Sequence, residues 1–555
     1  MKNALIVTVS ALALAACGSE QGSEPDGDNV TTQVDEATAT SALAALYLAE
    51  SGQGAVSWES RSFNDGVFTF TGVTFDMEDG APEDSDDEAG EDGDAGGEME
   101  IEVEAGEVHA ETMTLSAPRF DADGNVIFDL LSIDNIDIRD ENGEGEGTIT
   151  RFVIEQPNAA MAEAFARGFS NETGDEDDIN GEDWTYGLFA IEGLNFTGAD
   201  ESDDFTAAFD RFAIEDLGEY TIGRFELTNL SIAGSSADVG IINISLAELS
   251  ADNIGEAITY PFAAQFAMAS SSFSADTPNE DIAADMPEMP EGFDPLNTYE
   301  HAEIRGLNAN VGGVVVTLDS FTADVSHNGN EVVSTGEMTP LVIAPDTNYP
   351  FGAQLALGLG LMGYQQLEFV SAGASVYERD TDRSYTTGEN YFEMRDGFRV
   401  DVETDIAGIM AYTLGALRAG PMLDESDPAV MMDMLRPLVL NNFVFRLEDQ
   451  SLLDRALTAA SAAQGVPKES LRMQAGGLIA LATLGAPAEI PRELLAEFST
   501  AMSAFIAEGG SVELRIAPPE PLSVATLIEQ AGEGNIDYDA AGISITAIPP
   551  EDSGD

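Results

Sequence analysis

Basic residues are what this chain has least of. Lysine occurs only at Lys2 and Lys468, and 21 Lys+Arg stand against 103 Asp+Glu, a formal net charge of −82 over 555 residues. Such a field repels phosphate backbones and anionic head groups, so nucleic acid is excluded as a partner and the body stands off an anionic bilayer. Cysteine occurs once, at Cys17, so no disulfide forms within the chain and packing alone must stabilise it. Histidine occurs only at His109, His301 and His327, far apart in strand-like or turn sequence. With no H-E-x-x-H and no His/Cys cluster at zinc spacing, no histidine-based metal site is expected. No G-x-S-x-G elbow and no S-x-x-K set marks a serine hydrolase. Among 103 acids, any pair chosen for glycosidase chemistry is uninformative. Trp58 and Trp184 are too few for a sugar-stacking platform. After residue 17 no apolar run reaches eighteen residues, the longest being 351–364 and 478–484, so no spanning helix is expected there.

What is present begins at residues 1–17, MKNALIVTVSALALAAC. Lys2 supplies a positive start, Ala4–Leu14 an apolar core too short to span, and small residues close it, which reads as a secretory signal. Leu14-Ala15-Ala16-Cys17 resembles the lipobox of bacterial lipoproteins, substrates of the lipoprotein signal peptidase. The resemblance implies a signal peptide over 1–16 and diacylglycerol on the Cys17 thiol, with acylation of the new amine. It also implies a cell-envelope protein held by lipid, and Gly18, where an Asp would retain it in the inner membrane, implies the outer membrane facing the periplasm. Each buried CH2 of such an anchor contributes about 0.8 kcal/mol, so two or three chains hold stably.

Hydrophobic content of 43 % with 28 Phe supports real cores over most of the chain. The expected fold class is α+β: a mainly antiparallel, bent or twisted β-sheet with a helix-rich C-terminal part. Residues 17–41 read as a flexible tether and Ala42–Glu50 as a short helix. Residues 42–275 form a β-rich region broken by acidic loops at 78–100 and 171–183, with a helix over Pro157–Phe169 carrying Met161, Phe165 and Phe169 on one face. A Pro-, Met- and acid-rich linker or loop spans 276–298. Residues 299–404 are β-rich, contain an apolar helix at Phe351–Gly363, and end in a meander of Leu367–Glu378, Ser384–Met394 and Phe398–Val402. From 405 to 555 helices mix with strands; Ser451 with Asp454 reads as a helix start and Gly465 as its end. The texture of 440–530 resembles uncharacterised proteobacterial envelope proteins, a likeness that carries no activity.

One octet recurs: FTFTGVTF (68–75), LSIDNIDI (131–138), FAIEGLNF (189–196), FELTNLSI (225–232) and AEIRGLNA (302–309). Its apolar alternation slips by one residue at Gly72, Asn135, Gly193, Asn229 and Gly306. Gly and Asn tolerate left-handed backbone, as a bulge or kink between two strands requires. Two weaker motifs read as structure: Gly358-Leu359-Gly360-Leu361-Met362-Gly363, formally G-x-G-x-x-G, as small residues for close packing, and Asp121–Asn125 as a hairpin turn despite its calcium-loop flavour. Neither cofactor nor metal is expected. The functional expectation is a non-enzymatic, lipid-anchored protein that binds or scaffolds, its partner an envelope protein. The alternatives are handling of a lipid or other hydrophobic ligand along the bent sheet, and a hydrolase built from distant carboxylates.

Overall fold

The computed structural model describes residues 34–76, 107–139, 145–170, 184–200, 203–236, 240–261, 292–419, 428–484, 492–533 and 536–550. Mostly antiparallel β-sheet, the chain divides into two compact units, Met1–Phe293 and Asp294–Asp555. The lipobox at Leu14–Cys17, the acidic stretches 78–100 and 171–183, and residues 276–291 of the expected linker lie outside the described residues.

The first unit opens on helix α1 (Glu36–Ala45) and continues through β1 (Val56–Asn64), β2 (Val67–Phe75), β3 (Glu107–Ser116), the short pair β4 (Arg119–Phe120) and β5 (Val126–Ile127), β6 (Leu130–Arg139) and β7 (Gly145–Glu155). Helix α2 (Ala159–Ser170) precedes β8 (Tyr186–Asp200), β9 (Asp203–Leu217), β10 (Ile222–Ser236) and β11 (Gly240–Ile254). Apart from the β4–β5 ribbon, each strand pairs antiparallel with the next in the chain. Asp65 and Gly66, both at positive φ, close the first hairpin as a tight two-residue turn requires. The first helix differs from the expected Ala42–Glu50. It starts at Glu36, inside the expected tether, because the Asp35 carboxylate accepts from the Ala37 and Thr38 amides at 3.1 Å, and it ends before Tyr47, which sits at φ 56°.

The octets mark a crease. Gly72, Asn135, Gly193 and Asn229 have φ of 60°, 54°, 65° and 52°, and the ladder skips a rung at each. Gly72 faces Glu59 and Glu111, Asn135 faces Glu111 and Thr150, Gly193 faces Thr150 and Asp210, and Asn229 faces Asp210 and Ala247. Every strand therefore changes phase at one row: Phe68 and Phe70 are buried before it and Val73 after, Leu131 and Ile133 before and Ile136 after. A second row, not visible in the octets, crosses at Ala117, Gln156, Asp216 and Asn253, all at positive φ. It keeps constant spacing from the first, 111 to 117, 150 to 156, 210 to 216 and 247 to 253. Here glycine stands opposite the strained residue: a Cβ on Gly223 would lie 2.8 Å from that of Asp216.

The helices fill the face these strands present. Leu43 of α1 and Met161, Ala162 and Phe169 of α2 pack with Phe70, Met113, Leu131, Ile154 and Phe189 in one core. Phe165 of α2 meets Phe128, Phe152 and Phe169, as the expected helix face requires. Edge-to-face contacts carry the core from Phe152 through Phe189 and Phe212 to Phe225, at 5.5, 6.2 and 5.7 Å.

The second unit runs β12 (His301–Val311), β13 (Val314–Asn328), β14 (Glu331–Pro345), α3 (Pro350–Leu361), β15 (Leu367–Glu378), β16 (Arg383–Thr386), β17 (Tyr391–Met394) and β18 (Phe398–Ala407). Then come α4 (Ile409–Ala419), α5 (Pro428–Leu435), β19 (Val439–Asp449), α6 (Leu452–Gln464), α7 (Lys468–Leu484), α8 (Arg492–Glu508), β20 (Gly510–Ile516), β21 (Leu522–Ser523), α9 (Val524–Glu533), α10 (Tyr538–Ala541) and β22 (Ile543–Ile548). Pairing again follows chain order, with β16 and β17 side by side between β15 and β18, and β20 between β19 and β22. Gly306, at φ 65°, repeats the octet crease opposite Asp319.

Three local expectations are corrected here. The strand expected at Ser384–Met394 is two strands, because Asn390 leaves the ladder: its Oδ1 accepts from the Ala374 amide at 2.8 Å and its Nδ2 donates to the Thr387 carbonyl. Ser451 does not cap α6 with its side chain, which donates to the Asp396 carbonyl. Asp449 accepts from the Leu453 amide instead, while Gly465 closes the helix at φ 66° as expected. Gly358 and Gly360 are not close-packed, since a Cβ on either would meet nothing within 4 Å. The glycine that α3 does need is Gly352, where a Cβ would lie 2.1 Å from the Asp346 carbonyl oxygen.

Candidate functional site

The three histidines are dispersed. On β3, His109 Nδ1 lies 3.0 Å from Thr74 Oγ1 of β2; on β12, His301 Nδ1 lies 2.8 Å from Asp324 Oδ1 of β13; and His327 sits near Arg379. Among the described residues no group of three or more His, Cys, Asp or Glu could hold a metal ion. Asp121 spends its carboxylate on its own turn, accepting from the Asn125 and Asp123 amides at 2.8 and 2.9 Å; the Asn125 bond above all holds it below the usual carboxylate range. Trp58 packs edge-to-face on Phe70 and Trp184 is buried, so both serve the core of the first unit.

The second unit holds the feature with most chemical consequence, an apolar sheet face that its helices leave half covered. Ile304, Phe321, Met338, Ser371, Phe392 and Val400 are direct cross-strand partners on β12, β13, β14, β15, β17 and β18, so they share a face. None is buried, and Phe392 is 41 % exposed although it stacks on Phe369 at 5.6 Å. Beside this row lies a floor of small residues, Ala302, Ala323, Gly336 and Gly373, again mutual partners. A Cβ on Gly336 would find nothing nearer than the Thr322 carbonyl oxygen at 3.7 Å. Among the described residues, packing closes the face at its ends. At one, Leu296, Tyr299, Ile409 and Met410 pack on Val325, Val332 and Tyr377. At the other, Leu355 and Leu359 of α3 and Leu452 of α6 pack among Phe369, Met394 and Phe398. Tyr377, desolvated there and donating to Asp382 Oδ1 at 3.0 Å, is pushed up to about 12.

The opposite face of β16–β20 is polar and internally paired. Arg383 grips Asp405, which Asn441 also reaches; Arg446 and Arg515 flank Glu513 at 2.6 and 3.1 Å; Arg399 pairs with Asp401 and lies 4.0 Å over the Tyr391 ring. The Arg383 hydrogen bond holds Asp405 below the usual carboxylate range, and the Arg446 hydrogen bond does the same for Glu513. A polar concavity of about 530 Å³ at the end of this sheet is lined by Tyr364, Glu368, Glu393, Arg395, Gln450 and Arg455. Its guanidinium groups are engaged at home, Arg395 with Glu368 and Arg455 with the Gly363 carbonyl and Ser451.

The sequence marks the strands that build the apolar face and allows a hydrophobic ligand along the bent sheet; which unit leaves such a face half covered is encoded by no local pattern. A family model described as "Uncharacterized protein" matches residues 391–548, which take in Phe392, Val400, Arg399 and Glu513. No curated protein matches the chain.

Proposed function

We propose that this chain is a lipid-anchored cell-envelope protein that acts by binding, and that its ligand is hydrophobic. The anchor rests on Leu14-Ala15-Ala16-Cys17 and on Cys17 being the single cysteine. The ligand class rests on one observation: the half-covered row from Ile304 to Val400 over the floor of Ala323, Gly336 and Gly373. Six adjacent strands at about 4.8 Å spacing make that row roughly 24 Å long. A lipid tail occupies about half of a hydrocarbon core some 30 Å thick, so one extended tail fits along it. The helices mixed with strands from 405 to 555 act as scaffold at both ends, through Ile409 and Met410 at one and Leu452 at the other. The carboxylates with shifted ionisation support binding over general-acid chemistry: Asp405, Asp454 and Glu513 are each held ionised by a cationic neighbour.

Native mass spectrometry tests the ligand. The purified chain is expected to carry co-purified lipid mass, and Gly336→Phe, which fills the floor, to lose it. A lipid-free native spectrum, or a filled variant that still carries lipid, overturns the hydrophobic reading. Intact mass of the peptide bearing Cys17 tests the anchor separately, and absence of acyl mass on it overturns that part.

A further inference from the structure

Helix α3 is apolar on every side but for one uncharged polar residue, the exposed Gln354 amid the outer side, a pattern suited to a protein core or to the interface of a lipid layer. One side is accounted for by Leu355 and Leu359, which pack on the Phe369–Met394–Phe398 end of the apolar face. The other side is in solvent: Phe351 is 53 % exposed, Leu357 73 % and Leu361 68 %, with the open backbone of Gly358 and Gly360 between them. The setting is equally unusual. The chain is 22 % charged, yet no charged residue falls between Asp346 and Glu368.

From this geometry we propose that the outer side of α3 is a membrane-contact surface, seated in the interface of an uncharged, zwitterionic lipid bilayer. At about 18 Å the helix is too short to cross a hydrocarbon core of about 30 Å, and its inner side is already attached to the sheet. It therefore lies along the interface, with Phe351, Leu357 and Leu361 among the upper acyl carbons. Charge selects this occupant over the others. A second copy of the chain brings another −82, and an anionic bilayer repels the body likewise, whereas a neutral lipid surface imposes no such cost. The position adds a consequence: α3 touches the bilayer on one side and ends the apolar face on the other. The proposal does not depend on the ligand reading, since a helix can dock whether or not the face is filled.

The test uses the chain from Gly18 onward, which keeps every described residue and removes any contribution from a lipid on Cys17. Flotation with phosphatidylcholine vesicles is expected to carry the protein upward. Vesicles with one third phosphatidylglycerol should capture less at low salt and recover as salt screens the repulsion. The pair Leu357→Glu and Leu361→Glu should lower partitioning at least tenfold with unchanged circular dichroism, and Phe351→Trp should shift its emission to the blue on adding neutral vesicles. No flotation of the parent chain overturns the proposal, as does equal flotation of the double variant. Loss of binding through Leu478→Glu on α7, with Leu357→Glu silent, also overturns it. So does a dimer in native mass spectra that the double variant dissolves while vesicles stay empty. Lipid-bearing native spectra without flotation would sink this proposal and leave the ligand reading standing.

Discussion

The two units use the same strand chemistry to opposite ends. Both carry the octet crease, at Gly72, Asn135, Gly193 and Asn229 in one and Gly306 in the other, and both pair antiparallel in chain order. In the first unit α1 and α2 lie on the apolar face, and Phe70, Met113, Leu131 and Ile154 have no exposed surface. In the second, the packing among the described residues gathers at the ends, and the row through Phe321, Met338 and Phe392 stays half covered. Strand sequence fixes where a sheet turns its apolar side; what is then laid across that side decides whether it becomes a core or a surface.

Matched truncations test that contrast most strongly. Phe189→Ala removes a ring 1 % exposed and held edge-to-face by Phe152 and Phe212, and is expected to cost about 3–5 kcal/mol. Phe392→Ala, at 41 % exposure, should cost no more than about 1 kcal/mol. Urea titration resolves the units, because both tryptophans, Trp58 and Trp184, lie in the first and their fluorescence reports on it alone. Equal losses would mean that the face of the second unit is a core after all. A smaller effect is expected at the crease. Gly193→Ala puts a Cβ 2.2 Å from Thr150 Oγ1 and forces alanine to φ 65°, which alone costs about 1–2 kcal/mol. Asn135→Gly keeps the backbone and loses only the 2.7 Å bond to Glu111, about 1 kcal/mol or less, so the tryptophan-detected midpoint should fall further for the first change.

The first crease could be read from sequence because left-handed backbone narrows the choice to Gly or Asn, and the slip from Phe70 to Val73 is visible as a break in alternation. The second could not. It places Ala117 and Gln156, residues with no turn signature, at positive φ in one row with Asp216 and Asn253, and its glycines, Gly187 and Gly223, stand on the neighbouring strands. Asn390 splits a strand through a side-chain bond to Ala374, a partner known only once the chain has folded. The candidate site fared the same way. Ile304, Phe321 and Met338 are recognisably apolar strand residues, but their exposure depends on where α3, α4 and α6 come to rest. The openness of α3 was hidden because glycines at 358 and 360 suit a tight helix contact as well as a bare surface.

Acid should separate the units by the smallest margin, through the polar face of the second. Asp405 and Glu513 have folded-state values below those of an unfolded chain, where a carboxylate titrates near 4. Each therefore contributes stability that is fully present above that range and is lost as the pH falls through the depressed value. The acids lowered in the first unit, Asp35 and Asp121, are exposed and hold only a helix start and a turn. Between pH 4 and pH 2 the far-ultraviolet signal of β16–β20 should thus weaken while Trp58 and Trp184 emission holds, a modest effect because Arg383 and Arg446 are partly solvated. Arg446→Gln should move the onset of that loss to higher pH, since Glu513 then keeps only Arg515. If tryptophan emission shifts first, it is the packed core of the first unit that is acid-sensitive, and the ion pairs of the second are not what sets the order.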